Sequence, residues 1–169
     1  MFDIDFDKHV RRGHPVVFTL IIFFSIIELA ISAWLTSRYN LRHDYLSISV
    51  RDRTRFLLFT TCWTIFFGII YFGMFLYRPT GGVLTSVASH AIFLTLTWIF
   101  WLAGAAAITS ALGGGLNCSH HYIYCGQLNA LEAFAWITWV FVTFALFVVL
   151  LRGISASRRG DGFRGGLVA

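Results

Sequence analysis

Charge is what this sequence has least of. Asp, Glu, Lys and Arg make up 12% of its 169 residues, where a soluble domain carries about 25%. So few charges cannot clothe a water-facing globule. Only two prolines and three cysteines are present, which excludes a collagen-like chain and a disulfide-dense secreted scaffold. Enzyme motifs are missing too. There is no Gly-x-Ser-x-Gly, no His-Glu-x-x-His, no phosphate-binding glycine loop and no set of desaturase histidine boxes. The stretches between apolar runs are too short to host an active site, so neither catalysis nor a cofactor or metal is expected. Apolar residues, by contrast, are abundant at 57%, with a mean hydropathy of +0.73, which excludes disorder. An integral membrane protein remains.

Four apolar runs, residues 15–35, 56–77, 88–112 and 128–151, each suffice to cross a bilayer, which takes about 20 helical residues. Transmembrane strands would be shorter and would alternate polar with apolar; these runs do not. The first run is longer than the roughly 7–15 residues of a signal-peptide core and contains Glu28, so it reads as a span and not a leader. The expected fold is all-α: an antiparallel, left-handed four-helix transmembrane bundle. Residues 1–14 precede it, and a flexible basic tail, residues 152–169, follows.

The formal charge is +5 and the pI about 9.5. The basic residues all lie outside the apolar runs, so they read as topology signals and not as a nucleic-acid footprint. Lys8, Arg11, Arg12, Arg78, Arg152, Arg158, Arg159 and Arg164 fall on one side. Arg38, Arg42, Arg51, Arg53 and Arg55 fall on the other. The larger set places both termini in the cytoplasm. There Arg152, Arg158 and Arg159 can bind anionic headgroups at about 1 kcal/mol per charge.

In lipid, helices associate through small residues and interhelical hydrogen bonds. At 3–4 spacing the first span aligns Ser25, Glu28 and Ser32. The second aligns Thr61, Thr64, Gly68 and Tyr71. The third carries Thr97, Trp101, Gly104, Ala107, Ile108 and Ala111, and the fourth Asn129, Glu132, Trp136, Trp139 and Thr143. Glu28 and Glu132 admit two readings. One is a proton relay or cation site. The other, expected here, is a pair of neutral acids bonded to Ser25, Ser32, Asn129 or backbone. Both should lie near the outer leaflet, at depths of about 10 and 6 Å; whether they touch is left open by the sequence. His90 reads as a helix-end or interfacial histidine, the tryptophans as belt or packing residues, and Cys62 as a small packing residue.

Cys118 and Cys125 flank an uncharged segment with His120 and His121. On an oxidising outer face they are expected to pair. A zinc site with the two histidines stays open as the alternative, although adjacent histidines seldom point at one ion. Asn117-Cys118-Ser119 fits the N-glycosylation pattern, but it sits too close to the membrane to be expected in use.

The stretches Trp101-Leu102-Ala103-Gly104-Ala105-Ala106-Ala107, Gly113-Gly114-Gly115-Leu116-Asn117-Cys118 and Cys125-Gly126-Gln127-Leu128-Asn129-Ala130-Leu131-Glu132-Ala133-Phe134-Ala135-Trp136 resemble the fungal branch of the MARVEL-domain family. The motif likeness is confined to about residues 98–139, and the four-span architecture covers about 10–153. The resemblance implies membrane organisation at plasma-membrane microdomains and eisosomes, with no catalytic residues to carry over. Cys118, Cys125 and Glu132 map onto it, while the basic first outer loop departs from it. The expected role is a self-associating membrane organiser whose partners are lipids and further copies of itself. The alternatives are a small proton or cation conductor using Glu28 and Glu132, or an accessory subunit bound to another membrane protein.

Overall fold

The computed structural model describes residues 3–77 and 87–158. Four long helices account for most of them: α1 (Asp3–Arg42), α2 (Ile48–Tyr77), α3 (Val87–Leu112) and α4 (Cys125–Arg158), with a 3-10 turn at Cys118–His120 before α4. Each helix contains a candidate membrane span: Pro15–Arg42, Ile48–Met74, Ala88–Leu112 and Cys125–Leu151. Each packs antiparallel on the next, and α4 closes back on α1. The start of α1 and the end of α4 therefore lie at one end of the bundle.

The helices outrun the apolar runs. α1 continues seven residues past 35 to Arg42, with Leu35 and Tyr39 fully buried. α4 continues through Arg152 to Arg158, so the first part of the expected tail is helical. Arg159 and the rest of that tail lie outside the described residues.

The packing departs from that of a soluble bundle, although an apolar core is again buried, including Phe18, Leu35, Trp101, Ile108 and Val142. Polar side chains are buried inside it: Ser25, Glu28 and Ser32 on α1, Thr54, Thr60, Thr61 and Thr64 on α2, His90 and Thr97 on α3, and Thr138 on α4. Large apolar side chains point outward, among them Phe23, Phe59, Phe66, Ile92, Val140, Phe144 and Phe147. Lipid offers no hydrogen bonds, so polar groups gain by facing protein. The threonines are satisfied largely by their own helix. Thr54, Thr60, Thr64, Thr138 and Thr143 each donate to the carbonyl four residues back at 2.7–3.0 Å.

One expectation changes here and another is refined. Cys62 is exposed on the outside of α2, so it faces lipid and is not a packing residue. His90 sits at the helix end as expected, in the first turn of α3, but it is fully buried inside the bundle, with the rings of Tyr71 and Phe18 at centroid distances of 4.8 and 6.5 Å.

The expected basic outer loop also contracts to residues 43–47, and its arginines ride on helix ends. Arg53 Nη1 donates to the Ala107 carbonyl of α3 at 2.8 Å, and Arg55 Nη2 donates to Asn40 Oδ1 of α1 at 2.6 Å. Arg51 pairs with Asp52 at 2.9 Å and lies over the Tyr45 ring; Arg38 lies over Trp34. Arg53 and Arg55 thus tie α2 to α3 and to α1 at one end of the bundle.

Candidate functional site

Two seams carry the polar contacts between helices along the spans, besides the Arg55–Asn40 bond of α2 to α1 at the bundle end. In the α2–α3 seam, Trp63 Nε1 donates to Thr97 Oγ1 at 3.2 Å, and Trp101 Nε1 donates to Thr64 Oγ1 at 3.0 Å. The Tyr71 hydroxyl meets Ser89 Oγ at 2.6 Å. Trp101 and Thr64 are buried, so that bond is shielded from solvent and lipid alike. In the α3–α4 seam, Trp98 Nε1 donates to Thr143 Oγ1 at 2.8 Å. Trp136 Nε1 donates to Thr109 Oγ1 at 3.0 Å, and that hydroxyl donates on to Glu132 Oε1 at 2.8 Å. A hydroxyl that accepts from an indole and donates onward leaves few orphan polar atoms, as a lipid-embedded seam requires.

The packing positions divide by neighbour. Gly104 faces α2 so closely that a Cβ there would stand 2.6 Å from Leu57 Cδ2. Gly68 faces α1, where a Cβ would meet Ile22 at an ordinary 3.5 Å. Ala107 offers its carbonyl to Arg53, and Ala111 packs half-buried against the core.

The loop between α3 and α4 is closed by the Cys118–Cys125 disulfide. Both sulfurs are thereby occupied, which sets the zinc alternative aside. Among the described residues no group of three or more His, Cys, Asp or Glu is placed to hold a metal. Asn129, one turn into α4, grips the loop: its Nδ2 donates to the Leu116 carbonyl and its Oδ1 accepts from the Leu116 amide, both at 2.8 Å. Asn117 Oδ1 accepts from the Ser119 amide and hydroxyl, so that side chain caps the 3-10 turn. Gly113, Gly114 and Gly115 all take positive φ, a reversal that favours glycine. Tyr124 also has positive φ, and its hydroxyl donates to Asp44 Oδ2 at 2.8 Å, joining the two loops. Desolvation, followed by that bond to Asp44, pushes its phenol above the ordinary value.

The two acids part company. The Trp34–Tyr124 ring contact sets Glu28 six residues from one partner and Glu132 eight from the other, so by helical rise they lie within about 3 Å in height. Glu132, half-buried, turns to Thr109 on α3. Glu28 is fully buried, and neither of its oxygens has a hydrogen-bond partner; the Ser25 hydroxyl has none either. Ser32 donates to the Glu28 carbonyl at 2.7 Å, not to its carboxyl. The expected links from the acids to Ser25, Ser32 and Asn129 are therefore replaced by Thr109 for one acid and by none for the other.

The profile of the MARVEL membrane-associating domain matches residues 10–150. The chain belongs to the MARVEL family. No curated protein and no solved structure matches it. Members of this family are generally membrane proteins without enzymatic activity, and this MARVEL domain is a multi-pass integral membrane protein. The indole–hydroxyl bonds went unread in its sequence, although Trp63-Thr64 on α2 and Thr97 with Trp101 one turn on in α3 carry the signal. A donor and an acceptor on one face of each of two helices allow reciprocal bonding across a seam.

Proposed function

We propose that this MARVEL domain is a non-enzymatic membrane organiser, which associates laterally with copies of itself and sorts lipids around the assembly. One observation carries the reading: among the described residues the outward faces of the spans are predominantly apolar, interrupted by Thr19, Cys62, Thr95 and Ser110, while most polar side chains are turned inward or tied up at the bundle end. Such a surface meets only lipid and other membrane proteins. Phe59 and Phe66 on α2, 51% and 62% exposed, and Phe144 and Phe147 on α4, 54% and 59% exposed, supply bulky lateral contacts. The basic residues Arg152, Arg158 and Arg159 supply the attraction for anionic headgroups. The likeness to the fungal branch favours the plasma membrane. A conductor using both acids has less support, because Glu132 bonds to Thr109 and no hydrogen bond joins it to Glu28.

The test is reconstitution at physiological salt into vesicles containing a fluorescent anionic lipid. Oligomers in the bilayer and enrichment of the labelled lipid around them are expected. A monomer that leaves the lipid evenly distributed would defeat the proposal.

A further inference from the structure

Apart from Trp139 Nε1 on α4, buried polar atoms without a partner gather in one line along the inner face of α1 and the loop after it. Ser25 Oγ, both oxygens of Glu28 and Thr36 Oγ1 are buried and lack a hydrogen-bond partner. Ser32 lies between them, fully buried, with its hydroxyl turned back to its own helix. Tyr39 follows, fully buried beside Thr54. Beyond it, in the loop, stands Asp44, with Oδ2 bonded to Tyr124 and Oδ1 buried without a partner. The steps Glu28–Ser32, carboxyl to hydroxyl, and Ser32–Thr36, hydroxyl to hydroxyl, each rise about 6 Å, a gap that one bridging water covers. Toward the other end the line stops. Below Ser25 the same face carries Ile21 and Phe18, both buried and apolar.

We propose that Glu28 is a proton-binding site inside the bundle, reached from the end bearing the disulfide through Ser32, Thr36 and Tyr39 and closed toward the other end by Ile21 and Phe18. An isolated carboxylate in hydrocarbon is too costly to persist without a cation or a donor, and no neighbouring helix supplies one. On α2, Cys62 faces outward, while Arg51, Arg53 and Arg55 are engaged at the bundle end. On α3, the fully buried His90 stands at the opposite end, against Phe18 and Tyr71. On α4, Glu132 is bonded to Thr109. The proton is the ligand that satisfies Glu28 without a further protein group. The site is a pocket for one proton and not a channel, so it stands independently of the organiser role.

Infrared spectroscopy of the full chain in lipid nanodiscs tests this. A carboxylic C=O band is expected that Glu28→Gln removes, Glu28→Asp shifts and Glu132→Gln leaves in place. The band should move on transfer to D2O. Thr36→Val should slow that exchange, whereas Ile21→Val, on the closed side, should not. Should Glu28→Gln fail to fold, the exchange rates of Thr36→Val and Ile21→Val decide the matter with Glu28 intact. Absence of the band, a band that never exchanges, or exchange indifferent to Thr36→Val would overturn the proposal. So would proton flux across vesicles carrying the protein, because the closed end forbids it.

Discussion

At the scale of single residues, Gly104 and Trp101 bear most on the bundle. The 2.6 Å approach of a hypothetical Cβ at Gly104 to Leu57, itself fully buried, leaves nowhere for a branched side chain. Gly104→Val should destabilise the protein by about 1–3 kcal/mol, the usual cost of overpacking. Gly68→Ala, with its nearest contact at 3.5 Å, should be close to neutral. Thermal unfolding of both variants in one detergent checks the contrast. Trp101→Phe keeps most of the ring volume but deletes the donor to Thr64. A loss of about 1 kcal/mol is expected, and a double-mutant cycle with Thr64→Val should recover most of it as coupling.

At the scale of elements, the loop between α3 and α4 is held three times: by the disulfide, by Asn129 and by the Tyr124–Asp44 bond. Reduction removes the first hold, worth roughly 2–3 kcal/mol in the chain-entropy model. Hydrogen exchange should then accelerate across residues 113–124 and stay slow in α3 and α4. Asn129→Ala under oxidising conditions should raise exchange at the Leu116 amide, because its acceptor is lost. The spans, their order and the cysteine pairing were legible in the sequence, because hydropathy and loop chemistry are local properties. Which acid met which partner was not. Glu132 to Thr109 and Asn129 to Leu116 depend on the azimuth of one helix against another, and a spacing rule reads only one helix at a time. The arginines were misread for a related reason. Counting charges by loop cannot reveal that Arg53 reaches a carbonyl 54 residues away.

At the scale of the whole molecule, the structure divides into an apolar core threaded with buried polar side chains, a mostly apolar perimeter and two ends. Cys62 samples the perimeter. A thiol facing hydrocarbon does not ionise to the reactive thiolate, so maleimides should label Cys62 slowly in intact vesicles and readily once the protein is denatured; fast labelling in intact vesicles would place that part of α2 in water. The paired antiparallel helices put the start of α1 and the end of α4 at a common end. Reporter tags ahead of α1 and behind α4 should therefore share one protease-protected compartment, and opposite protection would contradict the four-span arrangement.

Three of the four helices are riveted across their seams by indoles and hydroxyls; α1 leans on its neighbours. Among the described side chains its rings stack, as Phe24 does on Phe141 at 5.3 Å, but its hydrogen-bonded ties to the rest lie at the margin, through Asn40 to Arg55 and through the adjoining Asp44 to Tyr124. Pulled or heated, the assembly should shed its first stave before the other three separate. That stave is also the one carrying the bare acid, so a change of charge at Glu28 would act where the wall is easiest to move.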